Sequence, residues 1–561
     1  MIDTSQLLNS MTLDEKIGQL FLLAFSENRI DEARVLFQDY FVGASYISND
    51  NVPDPDAAVA LTSKLQQYAA STRLKIPLLL GADQEGSWGV MVPASSTGPG
   101  NMALGAAQKT SSTTRMYRVI GQELSAVGLN TVFAPCADCN SNPFNSIIGM
   151  RAFGEKPMLV GALTAAAVQG AHEGGVAVSI KHFPGHGDTT SDSHRGLPTV
   201  TRTRDELNKI DLYPFIQGIQ AGADIVMTSH IIFSALDPDN PATLSRTILQ
   251  DILRGELGFE GVVLSDSMNM QAMKRNYRPD DSAIRALLAG VDMIMLAEEH
   301  YDHDAATYLK QQTALISAVK AAIESDAIPV ARVDQAVTRI LKLKEQRGLL
   351  GGVPEKSQAD VLQVGNAEHR AVELEVSREA VAILRNKHGL VPIPRNASIT
   401  LVNTTKRDSY AILASTRGIG PNQIEAAFDY FVEAIHDMFA SIRVVAAEDV
   451  LSETAEFGEG PIIAVTENYP LPGVDFDQAS QVQILQRLSA QYQDRLIVAA
   501  LRDPYELRLL PRVDTYVCGF SFRPSAAQAV ADVLSGQQSA LGKSPVSVPD
   551  TEVAANEVIQ H

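Results

Sequence analysis

Short apolar runs alternate with longer amphipathic stretches through residues 1–348 of the chain. The runs are almost continuously apolar, which is typical of parallel strands that are buried on both faces. Polar residues and a stretch with helical periodicity follow each run. The eight runs are IGQLFLLAF (17–25), ASYIS (44–48), IPLLLGAD (76–83), VFAPCAD (132–138), VAVSIKHF (176–183), ADIVMTSH (223–230), GVVLSDS (261–267) and VDMIMLA (291–297).

Residues 111–127 illustrate the helical stretches between the runs. Met116, Val119 and Ile120 follow the i, i+3, i+4 spacing of one helix face, and Gly128 comes next as a natural helix stop. Eight units of strand and helix predict an α/β fold, a (β/α)8 barrel of the TIM type. A doubly wound parallel sheet is the alternative, because it has the same alternation.

A change of composition marks a second domain. The segment QRGLLGGVPEKSQAD is rich in glycine, proline and polar residues, as linkers are. We therefore place the barrel at residues 1–348, a linker at 349–378 and a C-terminal domain at 379–561. A small α/β sandwich with a mainly parallel sheet is predicted there. Its strand candidates are 398–404, 442–447, 461–467, 495–501 and 515–521, and one helix candidate is 424–439.

The charge balance narrows the range of partners. Lys and Arg number 46 against 66 Asp and Glu, so the net charge is −20. Such a surface repels phosphate backbones and anionic lipid, which argues against nucleic acid or a membrane as partner. The N-terminus MIDTSQLLNS lacks a basic segment followed by an apolar core. We therefore expect a cytoplasmic protein, a monomer or homodimer, that binds a small neutral or cationic substrate.

The three cysteines do not predict a disulfide framework. Cys136 and Cys139 form a C-x-x-C pair, and Cys518 stands alone. A zinc site is disfavoured because a second cysteine pair is missing. We expect buried thiols, no metal and no cofactor.

Ionisable residues fall at the carboxyl ends of the predicted barrel strands. Asp83 ends the third run, Lys181 and His182 lie at the end of the fifth, His230 ends the sixth, and Asp266 lies at the end of the seventh. In (β/α)8 enzymes the active site lies at this end of the barrel. Polar residues placed at random would not coincide with four strand ends, so the pattern predicts an active site there.

The loop after the fifth run, KHFPGHGDTTSDSH (181–194), is long and rich in ionisable groups. Asp192 is close enough in sequence to accept the imidazole N–H of His194 and stabilise its charged form, as a proton-shuttling histidine requires. The alternative is that the pair only fastens a surface loop. A metal site made of His182, His186, Asp188 and His194 is a weaker alternative.

Three further candidates each have a structural alternative. Asp266 follows a buried strand, where removing a carboxylate from water costs free energy unless it has a partner or a function. It is therefore a candidate nucleophile or a helix cap. Asp83 can accept two hydrogen bonds from sugar hydroxyls or form a turn. Arg151 can grip a hydroxyl or acyl oxygen, or pair with a loop carboxylate. Asp138 and Glu155 are interpreted as structural.

Four motifs together resemble one family. LSDSMNM, KHFPGHGDT followed by Asp-x-His, DQEG and RAFG closely resemble glycoside hydrolase family 3, and most of all its bacterial β-N-acetylglucosaminidase (β-N-acetylhexosaminidase) branch. The resemblance runs from MTLDEKIGQL to the linker. It continues in the second domain with EAVAILRN (379–386) and GKSPVSVP (542–549).

The resemblance implies roles for seven residues. Asp266 matches the family's nucleophile, and Asp192 with His194 matches the dyad that replaces a carboxylic acid/base in this branch. The residues that match positions holding the terminal sugar are Asp83, Arg151, Lys181 and His182. At the end of DQEG the family commonly continues with Gly and often Arg, whereas this chain has Ser87 and Trp88. Trp88 is interpreted as a sugar-stacking or a packing residue, and His230 as a substrate contact.

We therefore expect a retaining exo-glycosidase that removes terminal non-reducing β-linked N-acetylglucosamine from cell-wall or chitin oligosaccharides through a covalent glycosyl-enzyme. A β-glucosidase or β-xylosidase of the same family is the first alternative, although these usually take a carboxylate acid/base from the second domain. Phosphorolysis is another, because a histidine repels phosphate less than a glutamate does. A non-catalytic sugar-binding protein is the alternative from another class.

Overall fold

The computed structural model describes residues 3–25, 29–87, 94–145, 147–189, 197–297, 305–414, 423, 425–467, 469 and 477–548. Its strands are β1 (Phe21–Leu23), β2 (Ala44–Tyr46), β3 (Leu79–Ala82), β4 (Thr131–Val132), β5 (Ala177–Phe183), β6 (Thr199–Val200), β7 (Ile225–Thr228), β8 (Ile232–Phe233), β9 (Asp237–Pro241), β10 (Val262–Leu264), β11 (Ile294–Leu296), β12 (Ala382–Asn386), β13 (Ser398–Asn403), β14 (Ser441–Val445), β15 (Ile462–Glu467), β16 (Leu496–Leu501) and β17 (Thr515–Cys518).

The first sheet is a closed parallel barrel. Eight strands pair in the order β10-β7-β5-β4-β3-β2-β1-β11. A parallel bridge between Leu264 and Met293 joins the two ends of this order, and the Ser265 amide donates to the Met293 carbonyl at 3.0 Å. Each of the eight predicted runs supplies one strand. The prediction of a (β/α)8 barrel is confirmed, and the doubly wound alternative is wrong because that sheet would have open edges.

Helices cover the outside of the barrel and both sides of the second sheet. Local signals fix several of their starts: Asp54 accepts from the Ala57 amide with Pro55 in the first turn, and Thr12 and Glu15 form a capping box. The helices are α1 (Thr4–Ser10), α2 (Leu13–Gln19), α3 (Ile30–Gln38), α4 (Pro55–Ala70), α5 (Asn101–Ala107), α6 (Thr110–Ala126), α7 (Pro157–Glu173), α8 (Arg204–Lys209), α9 (Leu212–Gln220), α10 (Gln271–Asn276), α11 (Pro279–Ala289), α12 (Ala305–Glu324), α13 (Val330–Gln346), α14 (Gln358–Val361), α15 (Ala367–Ala380), α16 (Ala427–Ile435), α17 (Ala447–Leu451), α18 (Gln478–Tyr492) and α19 (Pro524–Leu534); residues Thr247–Glu256 are π-helical.

The second sheet belongs to a separate α/β domain. Its order is β12-β17-β16-β15-β13-β14, and only the β12–β17 pair is antiparallel. The parallel-rich sheet predicted from the apolar runs is thus present. The sequence pattern did not predict β12 or the small sheet β6-β8-β9. The helix candidate 424–439 is longer than α16, which ends at Ile435.

Each domain has its own apolar core, and the two cores meet at α5. Strands and helices of the barrel pack into one cluster, and the second sheet packs into another that includes Met102, Ala103 and Ala106 of α5. Helix α15 lies against both α5 and α19. A membrane crossing would need a longer and more apolar helix than any among the described residues.

Candidate active site

Four barrel strands bring the sequence candidates to one end of the barrel. Asp83 directly follows β3, Lys181 and His182 belong to the end of β5, His230 lies two residues beyond β7, and Asp266 lies two residues beyond β10. These are the carboxyl ends of parallel strands, so all five residues lie on one face. Asp266 is half-buried and the other four are buried.

Lys181 is held by two carboxylates. Its ammonium forms an ion pair with Asp83, and its Nζ lies 2.5 Å from Oε1 of Glu85. The second oxygen of Asp83 accepts a hydrogen bond from the Tyr46 hydroxyl at 2.9 Å. Asp83 therefore has a partner on each oxygen, one from β2 and one from β5.

Arg151 lies in a short helical turn after the β4 loop and pairs with the same glutamate. Its Nε and Nη2 each donate to one oxygen of Glu85 at 2.9 Å, a bidentate geometry. Nη2 also lies 3.4 Å from Nε2 of His182. One interpretation of Arg151 is a salt bridge to a loop carboxylate, and Glu85 is that carboxylate. The pair also places the guanidinium next to His182, another candidate for sugar binding.

The buried charges stabilise one another. Burial alone would raise the pKa of Glu85, but Arg151 and Lys181 outweigh it and hold that pKa far below its usual range. Burial alone would lower the pKa of Lys181, but Asp83 and Glu85 outweigh it and raise that pKa. Glu85 and Lys181 are therefore both ionised at neutral pH, and their mutual contacts hold their polar atoms in fixed positions.

Asp138 orients His182. Its Oδ2 lies 2.9 Å from Nδ1 of His182, and since a carboxylate only accepts, Nδ1 is the protonated nitrogen. Its Oδ1 accepts from the backbone amide of His186 at 2.7 Å. Asp138 is fully buried. The structural interpretation of Asp138 agrees with these contacts, which also leave Nε2 of His182 facing Arg151.

Hydrogen bonds with Thr228 and with the backbone of Ser267 hold Asp266 in place. Its own amide donates to the Thr228 hydroxyl at 3.4 Å, and the Ser267 amide donates to its Oδ1 at 2.7 Å. Burial raises the pKa of Asp266, but His230, His182, the Ser267 amide and Lys181 together outweigh burial and lower it. The carboxylate is therefore ionised at neutral pH. Among the described residues, none donates a hydrogen bond to its Oδ2.

His230 has protein partners on both ring nitrogens. Nε2 lies 3.0 Å from the Ser267 carbonyl and therefore donates to it, and Nδ1 lies 2.9 Å from the Thr243 hydroxyl. Burial lowers its pKa, and the nearby Asp266 carboxylate acts in the opposite direction. These contacts fix the backbone at residue 267, next to Asp266.

The metal alternatives find little support in the geometry. Donor atoms of Cys136, Asp138 and His182 lie within 4.8 Å of one another. However, Asp138 and His182 already share a hydrogen bond, and burial raises the pKa of the Cys136 thiol, which disfavours the thiolate that a metal requires. Of the other proposed ligands, Asp188 pairs with Arg202 at 3.0 Å and Nδ1 of His186 bonds the Thr189 hydroxyl at 2.9 Å.

Three sequence candidates lie outside the described residues: Asp192, His194 and Trp88. Three residues that line the site were not among the predicted site residues, namely Tyr46, Glu85 and Asp138. Glu85 belongs to the DQEG motif, so its motif was a usable signal. Asp138 and Tyr46 gave no comparable signal, because each acts on a partner from another strand.

The fold and the site define a (β/α)8-barrel enzyme with a cluster of ionised groups at the carboxyl ends of its strands. The model of the glycosyl hydrolase family 3 N-terminal domain matches residues 12–343. The chain belongs to glycosyl hydrolase family 3, and it is a glycoside hydrolase.

Similar proteins extend the comparison over both domains. A solved glycoside hydrolase family 3 β-N-acetylglucosaminidase from Paenibacillus sp. str. FPU-7 is 32% identical with a TM-score of 0.83, covering 96% of this chain and 99% of that one. Beta-hexosaminidase A of Pseudoalteromonas piscicida is 28% identical over 92% of this chain and 91% of its own length. The beta-N-acetylglucosaminidase/beta-glucosidase of Cellulomonas fimi is 27% identical, covering 96% and 94%.

Proposed function

We propose that the chain is a retaining exo-β-N-acetylglucosaminidase in which Asp266 is the nucleophile. The observation that carries the proposal is the carboxylate of Asp266, which lies at the end of β10, is ionised, and interacts electrostatically with His182 and Lys181. The names of the Paenibacillus and Pseudoalteromonas relatives support N-acetylhexosamine as the sugar. Cell-wall fragments and chitin oligosaccharides supply such a terminal residue.

The first step is displacement at the anomeric carbon. Oδ2 of Asp266 attacks the anomeric carbon, and the bond between this carbon and the aglycone oxygen breaks. The Ser267 amide holds Oδ1, so Oδ2 is the oxygen available for attack. The imidazolium of His194, paired with Asp192, donates its proton to the leaving oxygen.

The second step releases the sugar. Neutral His194 accepts a proton from water, the water oxygen attacks the anomeric carbon, and the bond to Asp266 breaks. Two displacements at one carbon retain the β configuration. The assignment of Asp192 and His194 comes from the sequence resemblance. The described residues up to Thr189 lead into that loop, and the contacts of His186 with Asp138 and Thr189 fasten its start.

The terminal sugar binds against the charged cluster. Asp83 and Lys181 present an acceptor and a donor for neighbouring hydroxyls, and Arg151 with His182 presents a second donor and acceptor set. We keep His230 as a substrate-site residue that acts through the backbone at Ser267. Trp88 remains a candidate for stacking on the sugar or its aglycone.

The test compares wild type with Asp266→Ala on an aryl β-N-acetylglucosaminide. The variant should lose turnover, and added azide should restore aglycone release with an α-glycosyl azide as product, because azide fills the place of the carboxylate. Asp239→Ala, which removes an exposed carboxylate from β9, is the control and should keep wild-type rates. A D266A variant with near-wild-type activity would remove Asp266 as nucleophile.

A β-glucosidase is the second candidate, because the Cellulomonas relative carries both activities in its name. Rates with aryl β-glucoside and aryl β-N-acetylglucosaminide under identical conditions decide between them. We expect the higher kcat/KM with the N-acetylated substrate. Repeating the assay in phosphate buffer separates hydrolysis from phosphorolysis, since only phosphorolysis releases the sugar 1-phosphate.

A further inference from the structure

Arg523 of the second domain reaches into the barrel. It directly precedes α19, and its guanidinium donates from Nε to the Gly86 carbonyl and from Nη2 to the Ser87 carbonyl, both at 3.2 Å. The residue is 4% exposed. Its remaining nitrogen, Nη1, lies 3.4 Å from the side-chain oxygen of Gln423. Two of its three side-chain hydrogen bonds therefore cross to one short segment of the barrel.

That segment is confined on its other side as well. Gly86 has a φ of +89°, and a Cβ added there would lie 2.7 Å from the Cα of Gly100. A Cβ added at Gly100 would lie 2.4 Å from Oγ of Ser87. The amide of Gly98 is in turn held by Glu373 of α15 at 3.0 Å. The backbone at residues 86–87 is thus fixed between Gly100 and the Arg523 guanidinium.

The buried charge of Arg523 argues for a specific task. Burial lowers its pKa to about 10, so the group stays protonated at neutral pH. Removing a cation from water is costly unless polar partners replace the water. The Glu373 carboxylate stabilises the charge, and backbone carbonyls of the segment after β3 replace the water. Asp83 and Glu85 lie just before these carbonyls in the chain.

We propose that Arg523 is a positioning residue through which the second domain sets the geometry of the sugar site. It holds the carbonyls of residues 86 and 87, and so fixes how far Asp83 and Glu85 extend toward Lys181. The inference rests on the proposed role of Asp83 in binding the sugar. A displacement of about 1 Å at such a site is enough to reduce the rate by about 100-fold.

Arg523→Met and Arg523→Lys test the proposal, with Arg385→Met as the matched control. Arg385 also binds two backbone carbonyls, those of Leu510 and Val513 at 2.9 Å, but both lie within the second domain. Kinetics are measured well below the lowest melting temperature. We expect R523M to raise KM about 10-fold or more, R523K to recover part of the loss, and R385M to lower the melting temperature with KM and kcat within about twofold of wild type.

Hydrogen exchange provides a readout that does not depend on activity. Peptides covering residues 79–87 should exchange faster in R523M than in wild type and should be unchanged in R385M. Unchanged KM and kcat in R523M, or equal kinetic losses in R385M, would overturn the positioning role even if exchange increases. If wild type does not cleave the N-acetylglucosaminide, the proposed function fails. Hydrogen exchange tests the structural contact independently: unchanged exchange in R523M would show that Arg523 does not fix the backbone at residues 86 and 87.

Discussion

Glu85 and Arg151 form a bidentate ion pair in the charged cluster at the carboxyl ends of the barrel strands, with both N–O distances at 2.9 Å. The side chain of Glu85 is fully buried and that of Arg151 is 10% exposed. Lys181 shares the same carboxylate. Glu85 therefore holds together two cations that would otherwise repel each other in a medium of low polarity.

Glu85→Gln should damage both stability and catalysis. The change leaves two buried cations without their shared anion, which costs about 3–5 kcal/mol of unfolding free energy. Because Arg151 and Lys181 then shift, kcat/KM should fall about 100-fold. Chemical denaturation and steady-state kinetics measure the two effects.

Glu123→Gln is the matched control for that change. Glu123 is also buried, but it binds the ring of His369 and the amide of Gly365 at the contact between α6 and the α15 region. E123Q should lower stability and leave KM unchanged. Similar kinetic losses in E123Q and E85Q would mean that general destabilisation explains both.

Asp138→Asn should disturb His182 without removing a bulky group. Asp138 accepts from the His182 ring on Oδ2, from the His186 amide on Oδ1 and from the His182 amide on both oxygens, whereas an asparagine side chain has a single acceptor oxygen. The contacts to the ring of His182 and to the amide of His186 use different oxygens, so at least one of these two must then break. We expect kcat/KM to fall about 10- to 100-fold, and 15N spectra of the histidine rings should show a changed tautomer population. Wild-type spectra and kinetics together would contradict this role.

The barrel was predictable because its signal is local. Runs such as 176–183 are buried on both faces, so their composition alone identifies strands. The carboxyl-end rule then places Asp83, Lys181 and Asp266 on one face without any knowledge of contacts. The roles of these residues, by contrast, came from motifs that resemble a family.

The pairs inside the site were not predictable, because their partners are far apart in sequence. Asp138 and His182 are 44 positions apart, and Arg523 lies 437 positions from Gly86. No periodicity links such residues, and only the closed barrel and the docked second domain bring them together. The sequence predicts a structural role for Asp138, and the folded chain shows that its contacts orient His182.

Lys181→Met should move the acidic limb of the pH profile upward. Burial raises the pKa of Asp266, while His230, His182, the Ser267 amide and Lys181 lower it. The nucleophile must be ionised, so activity rises with pH as Asp266 loses its proton. Removing the positive charge of Lys181 raises this pKa, and the acidic limb of kcat/KM, which reports the free enzyme, shifts to higher pH.

Lys344→Met is the control for the pH experiment. Lys344 is another fully buried lysine, whose Nζ donates to the Gln19 side chain at 2.7 Å and to the Gly43 carbonyl at 3.0 Å. Gly43 precedes β2, so this lysine lies toward the opposite end of the barrel. K344M should leave the acidic limb in place. An unshifted limb in K181M would show that Lys181 does not set the ionisation of Asp266.

Gly187→Ala should disable the loop that carries the proposed acid/base residues. A Cβ at Gly187 would lie 1.6 Å from the carbonyl oxygen of Cys139 and 2.3 Å from its carbon, and backbone atoms cannot yield as a flexible side chain does. The Gly187 carbonyl also accepts from the Asn142 amide at 3.2 Å. The substitution must therefore separate the start of this loop from the β4 loop.

Because His194 protonates the leaving oxygen in the proposed mechanism, G187A should slow substrates with poor leaving groups more than activated aryl glycosides. We expect kcat/KM to fall about 100-fold for an N-acetylglucosamine disaccharide and less for a nitrophenyl glycoside. Gly351→Ala serves as control, since a Cβ there meets no atom within 4 Å. Equal losses for both substrates would show that the loop affects binding rather than proton transfer, and wild-type rates would show that the loop accommodates the methyl group.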